Sequence, residues 1–214
     1  MREYLNITNE CNLELMKRYE DNHFDLAIVD PPYGININVS MGRRKGDKKS
    51  DYHKFAGNDN AIPTAEYFNE LMRVSKNQVV FGGNYMTEFL KPSSCWLLWD
   101  KGFSEDVTFA QFEMAWTSFK SSAKKYDKHP SQQNRIHPTQ KPTSLYQWIL
   151  TRYAEKGFKI LDTHLGSGSI AIAVDSVNKI EKLDLTLTGC ELDKKYFDKA
   201  INRIEEQTKW NSLF

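Results

Sequence analysis

The sequence predicts an α/β domain in which one sheet carries helices on both faces. Apolar runs alternate with helical patterns along its 214 residues, as they do in layered α/β folds. Two of the runs end directly in turn motifs, Asp30-Pro31-Pro32-Tyr33-Gly34 and Asp162 to Ser169, and open α/β sheets hold ligands at such strand ends. The length suits one domain with a substantial core.

The elements follow in order. Tyr4–Ile7 reads as a short strand and Asn12–Tyr19 as a helix, and Phe24–Val29 is a nearly continuous apolar strand. From Ile35 to Asn60 the chain is polar and basic, so a long mobile loop, functional or disordered, is expected there. Pro63 and Thr64 open a helix to Ser75. Strands are predicted at Asn77–Gly82, Cys95–Trp99 and Phe109–Trp116, the last with Phe112, Met114 and Trp116 alternating with Glu113 and Ala115. Residues 117–142 are polar. Thr143–Glu155 reads as a helix, Phe158–Leu161 as a strand, Ser169–Val177 as a helix, Leu183–Cys190 as a strand and Lys194–Gln207 as an amphipathic helix. The total is about seven strands.

With 40% hydrophobic and 27% charged residues, the composition is that of a globular protein. The net charge of +1 gives no general attraction to nucleic acid, so any such affinity has to be local. Two basic stretches qualify. Arg43, Arg44, Lys45, Lys48, Lys49 and Lys54 form one, and Lys120, Lys124, Lys125, Lys128 and Arg135 the other. Either could equally be a solvated face. Cys11, Cys95 and Cys190 lack metal-ligand spacing, which argues for a reducing compartment and against a zinc site. No secretory leader or run of about 18 apolar residues is present, so the expected address is the cytoplasm, without membrane or metal.

Asp30-Pro31-Pro32-Tyr33 is the sharpest chemical signal. The prolines fix φ and remove two donors, leaving the Pro31 carbonyl as a rigidly aimed acceptor. The Asp30 carboxylate is a second acceptor, so the pair can take both hydrogens of one –NH2 group. Tyr33 offers a flat face to a planar ring. The amine of adenine or cytosine is a poor nucleophile because its lone pair is delocalised into the ring. Fixing both hydrogens favours a pyramidal nitrogen able to attack a methyl carbon in line. The bland alternative is a Pro-Pro turn capped by Asp30.

The second signal is Asp162-Thr163-His164-Leu165-Gly166-Ser167-Gly168-Ser169. With Ala171 it satisfies G-x-G-x-x-A, and Glu191 at the next strand end can bind ribose hydroxyls. A dinucleotide site would normally continue into further strand–helix units. A mononucleotide-like ligand bearing a carboxylate, such as S-adenosylmethionine, fits better, with a purely structural turn as the alternative. The third segment, His137-Pro138-Thr139-Gln140-Lys141-Pro142, is a candidate wall for the methionine end.

In this order the three segments, with Phe81-Gly82-Gly83-Asn84-Tyr85 and Glu191-Leu192-Asp193…Tyr196, resemble the β-class amino-DNA methyltransferases over nearly the whole chain, and especially their compact forms from phages and mobile elements. The resemblance implies a Rossmann-like seven-stranded methyltransferase sheet, mostly parallel with one antiparallel strand. It divides a single domain, 1–214, into a catalytic half of about 1–116, a short basic recognition segment at 117–136 and a cofactor half at 137–214. It assigns Asp30, Pro31, Pro32 and Tyr33 to catalysis on a flipped base. The cofactor, S-adenosylmethionine, falls to Asp30, His137, Thr139, Lys141, Asp162, His164, Gly166, Gly168, Ser169 and Glu191. Duplex DNA is the implied partner, contacted by Arg43, Arg44, Lys45, Lys48, Lys49, Lys124, Lys125 and Arg135. The leading Asp30 is the form associated with adenine N6, whereas a leading serine is commoner for cytosine N4.

Two departures stand out. The family's usual Asp-Pro-Phe is here Asp162-Thr163-His164, so His164 either replaces the aromatic ring or simply packs. The recognition segment is short, so sequence discrimination is either modest or left to the basic loop after Tyr33, a homodimer or another subunit. Other readings are a methyltransferase of an RNA base or a glutamine amide, and a catalytically silent nucleic-acid-binding module.

Overall fold

The computed structural model describes residues 2–35, 61–103, 110–130 and 135–210. In chain order the elements are β1 (Leu5–Thr8), α1 (Asn12–Lys17), β2 (Phe24–Val29), α2 (Ala65–Val74) and β3 (Ser75–Phe81). A 3₁₀ turn at Gly83–Tyr85 precedes β4 (Trp96–Asp100), β5 (Phe112–Thr117) and β6 (Lys124–Asp127). Then come α3 (Thr143–Tyr153), β7 (Lys159–Asp162), α4 (Ser169–Glu181), β8 (Thr186–Cys190) and α5 (Lys194–Trp210). The strands form one sheet in the order β1-β8-β7-β2-β3-β5-β4-β6. Only β5 runs against its neighbours β3 and β4, matching the single antiparallel strand expected.

The sheet has eight strands among the described residues, one more than expected. The additional strand is β6, which pairs with β4 from Leu97↔Lys124 to Asp100↔Asp127. Its sequence, Lys-Lys-Tyr-Asp, lacks an apolar alternation because it lies at the sheet edge, where lysines are tolerated and discourage further pairing. Tyr126 turns inward against Trp148 of α3, with ring centroids 5.3 Å apart. The loop expected over Ile35–Asn60 falls, apart from Ile35, outside the described residues.

β2 is central and covered on both faces, which explains its unbroken apolar sequence. Leu26 and Ile28 pack toward α3 and α4, while Ala27 and Val29 pack toward α1 and α2. Full burial of side chains such as Leu26 and Ile28 stabilises by roughly 1.5–3 kcal/mol each. Two residues beyond Ile28, the same alternation directs Asp30 to the α3 side. On β5, Ala115 belongs to that core too, so Glu113 shares its face. Because β5 is antiparallel, its first residues lie at the edge where β2 and β3 end.

β2 and β7 are adjacent and parallel, through Leu26↔Ile160 and Ala27↔Leu161. The chain leaves β2 for α2 on one face and leaves β7 for α4 on the other. This opposite departure opens a crevice at the carboxyl edge, between Asp30-Pro31-Pro32-Tyr33 and the glycine turn.

The turn is fixed by α5. Gly168 caps α4 at φ +73°, and a Cβ there would lie 2.7 Å from the buried side chain of Ile204. Replacing Gly168 with alanine is therefore expected to destabilise the fold by about 1–3 kcal/mol through strain and overpacking. Urea unfolding measures this, and an unchanged midpoint would show that α5 yields freely.

Candidate active site at the carboxyl edge

The loop after β2 is held by hydrogen bonds to its own side chains. The Tyr33 hydroxyl lies 2.7 Å from Asp30 Oδ1 and 2.8 Å from Glu113 Oε1. Lys141 Nζ lies 2.5 Å from Asp30 Oδ2 and 2.5 Å from Glu113 Oε1. Lys101 Nζ is 3.1 Å from Glu113 Oε2. Two acids and two lysines thus balance in a small volume. The Lys141 side chain is 3% exposed, against 17% for Asp30 and 14% for Glu113. Its ammonium also lies 4.7 Å from the centroid of the Phe81 ring.

The two carboxylates differ electrostatically. Burial raises Asp30, opposed by Lys141 and assisted by the charge of Glu113. Burial would raise Glu113 as well, but Lys141 and Lys101 outweigh it and hold Glu113 at about 2. Lys141 is drawn down by burial, yet Asp30 and Glu113 together keep it above the ordinary lysine value. Tyr33 stays a phenol because burial and both carboxylates oppose its ionisation.

The Tyr33 ring is stacked on Tyr85, with centroids 5.3 Å apart and planes 17° from parallel. Gly82, at φ +67°, makes this possible, because a Cβ there would lie 2.2 Å from the Tyr33 ring. Tyr85 itself is 44% exposed, so the aromatic pair reaches the surface. Pro31 is buried and Pro32 half-buried beside it.

Across the crevice, Glu191 Oε2 accepts from the Gly166 backbone N–H at 2.9 Å, and its Oε1 accepts from that of Asp193 at 2.9 Å. Gly166 takes φ +55°, and a Cβ there would make only ordinary contacts, with the His137 ring and the His164 carbonyl each at 3.8 Å. Asp162 is buried and accepts from the His164 N–H; burial, with the charges of Asp30 and Glu191, raises it to about 8. That electrostatic coupling joins the two sides of the crevice.

His137 is buried and lies edge-on to Tyr196. The Thr139 hydroxyl is 3.0 Å from its Nδ1, which occupies that side chain within its own loop. Lys141, expected at the cofactor together with Asp30, places its ammonium against Asp30 and Glu113. Gly168 packs on Ile204, and the Ser169 hydroxyl turns inward to donate to the Lys141 carbonyl at 2.8 Å. Both hold the turn to its neighbours.

His164, which stands third in Asp-Thr-His where the family has Asp-Pro-Phe, packs edge-on to Tyr67 at 5.3 Å. Asn12 Nδ2 is 3.0 Å from its Nε2, and the Thr163 hydroxyl is 2.9 Å from its Nδ1. The amide donates, so Nε2 accepts and Nδ1 carries the hydrogen.

The basic residues divide. Lys124 and Lys125 are exposed on β6, but Lys125 is paired with Asp100 and Asp127. Arg135 is half-buried and donates to the Pro138 carbonyl, bracing the loop that carries His137. Arg43, Arg44, Lys45, Lys48 and Lys49 lie outside the described residues. Sequence reasoning missed Glu113 and Lys101; the one signal available was a lone acid in the apolar strand Phe-Glu-Met-Ala-Trp-Thr.

Three comparisons bear on this arrangement. The family model N6_N4_Mtase, described as DNA methylase, matches residues 91–202, just over half the chain. Type II methyltransferase M.HpaI of Haemophilus parainfluenzae is 22% identical over 242 aligned positions, spanning 91% of this chain and 72% of that protein. Among solved structures, the M1.HpyAVI–SAM complex has a TM-score of 0.60 at 17% identity, covering 94% of this chain and 98% of that one. TTHA0409 of Thermus thermophilus, a putative DNA modification methylase complexed with S-adenosyl-L-methionine, has a TM-score of 0.60 at 12% identity, covering 98% and 95%. PvuII DNA methyltransferase, described as cytosine-N4-specific, has a TM-score of 0.58 at 12% identity, covering 96% and 93%.

Burial lowers His164 to about 3, far below its unfolded value near 6.5. The unfolded chain therefore takes up a proton that the folded chain refuses, and this residue's share of stability is lost as pH falls from about 6.5 toward 3. His164→Phe is expected to lose less thermal stability between pH 7 and pH 5 than the parent. An equal or larger loss would place the His164 ring in contact with solvent.

Proposed function

The chain belongs to the N6_N4_Mtase family of DNA methylases, and from that premise we propose that it transfers a methyl group from S-adenosylmethionine to an exocyclic amine of a base in DNA. The observation that carries this reading is the meeting of two different kinds of site at the ends of adjacent strands. Asp30, after β2, offers an acceptor for an amine. Gly166 and Glu191, after β7 and β8, offer a backbone turn at positive φ and a partly buried carboxylate suited to ribose hydroxyls.

The residues present fit the cofactor. Glu191 is aimed by two backbone N–H groups, and Leu192 beside it is 61% exposed, a free apolar contact for a purine. His137 beside Gly166 is held at about 3 by burial and the charge of Lys141, so it stays neutral near a cationic ligand. When bound, S-adenosylmethionine supplies an electrophilic methyl carbon. The two solved structures named with this ligand support its choice.

The chain's own residues then do three things. Asp30 and the Pro31 carbonyl accept the two amine hydrogens and orient the nitrogen lone pair. Tyr33 and Tyr85 present an aromatic platform to a base taken out of the duplex. Exposed Lys124, with Arg43, Arg44, Lys45, Lys48 and Lys49, supplies charge toward phosphates. Adenine N6 is the favoured target because the tetrapeptide leads with Asp30. The fold likeness to PvuII methyltransferase favours cytosine N4 as the second reading.

Labelled methyl transfer to duplex DNA followed by nucleoside analysis is the test. N6-methyladenine is expected as product. Asp30→Ala should reduce transfer by roughly 100-fold or more while cofactor binding persists. Label found only outside DNA, or transfer undiminished in Asp30→Ala, would overturn the reading.

A further inference from the structure

The proposed chemistry leaves one buried acid unused. Glu113 duplicates both contacts of Asp30: Lys141 Nζ lies 2.5 Å from each carboxylate, and the Tyr33 hydroxyl lies 2.7 Å from one and 2.8 Å from the other. Tyr33 has a single hydroxyl hydrogen, so it donates to one carboxylate at a time. Asp30, however, has to accept an amine hydrogen, and each of its oxygens already accepts a hydrogen bond, Oδ1 from Tyr33 and Oδ2 from Lys141.

We propose that Glu113 is a positioning residue that takes over the Tyr33 hydroxyl and the Lys141 ammonium when substrate arrives, releasing an Asp30 oxygen for the amine hydrogen it accepts. This rests on the reading of Asp30 as amine acceptor. The matched distances make the exchange balanced: the Tyr33 hydrogen passes from Asp30 Oδ1 to Glu113 Oε1, and Lys141 keeps its existing contact with Glu113 when it lets go of Asp30. Lys101, bound to the other oxygen of Glu113, keeps that carboxylate fixed while its contacts change. Without Glu113, both donors fall back on Asp30 and compete with the amine.

The exchange has a signature in pH. Asp30 is faced by Lys141 from the segment before α3, Glu113 from β5, Tyr33 from its own loop and Asp162 from β7, with Tyr67 of α2 and Tyr146 of α3 also within its field. Of these, Glu113 is the charge that holds Asp30 up, alongside burial, while Lys141 pulls it down. Neutralising Glu113 therefore lowers Asp30, and the acid limb of the kcat–pH profile moves to lower pH.

The experiment compares the parent with Glu113→Gln, Glu113→Asp and Asp30→Ala in methyl transfer to DNA, alongside cofactor binding and thermal unfolding. Glu113→Gln is expected to lower kcat by about 10- to 100-fold, with cofactor affinity within about twofold of the parent and an acid limb at lower pH. Glu113→Asp restores the charge and should return the limb to its parental position. Parental kcat in Glu113→Gln with an inactive Asp30→Ala would overturn this positioning role alone. A loss of kcat with an unmoved limb, matched by lost stability and cofactor affinity, would overturn it too, because Glu113 would then only balance charge. Parental activity in Asp30→Ala would remove the amine-acceptor reading, and the positioning role with it.

Discussion

The ammonium of Lys141 sits between two carboxylates at 2.5 Å from each, with 3% of its side chain exposed. Taking a charge this far out of water costs several kcal/mol per ion, and it is tolerated only where opposite charge and hydrogen bonds replace the lost hydration. Asp30 and Glu113 supply that replacement, Lys101 balances the second acid, and Tyr33 closes the cluster with its hydroxyl. Each member is buried because the others are. The loop after β2 is consequently held by a mutual constraint among four parts of the chain, and removing one of the charged members leaves a neighbour of opposite sign without its full counter-charge.

The sheet makes this convergence possible. Strand alternation carries Asp30 to the α3 face two residues beyond Ile28, and reversal of β5 brings Glu113 to the edge where the parallel strands end. Lys141 arrives from the turn that starts α3, and the Ser169 hydroxyl ties its carbonyl to the start of α4. Through that bond the amine side of the crevice is joined to the glycine turn. Gly168 and Ser169 thus serve the turn's geometry, while Gly166 donates its N–H to Glu191.

Much of this was legible in the sequence because it is local. Phe24–Val29 reads as a buried strand and is one, and the motifs at Asp30 and Asp162 fall at strand ends as patterning requires. β6 was not legible: an edge strand of Lys-Lys-Tyr-Asp has one inward residue, too few to set a period. Lys141 was read with His137 because they are neighbours in sequence, yet a long side chain is free to reach the opposite side of a crevice. Glu113 was read as the polar side of an alternating strand, since nothing local reveals that a lysine 28 positions later and a tyrosine 80 positions earlier meet it. Local chemistry marked the places, and long-range pairing determined what the side chains do there.

The most direct measurement is a crystal structure of the protein with a non-transferring cofactor analogue and a duplex containing the target base. The amine nitrogen is expected about 3 Å from an Asp30 carboxylate oxygen and from the Pro31 carbonyl, facing the donor across the crevice. An amine held by other groups, with Asp30 still closed on Lys141 and Tyr33, would contradict the central claim.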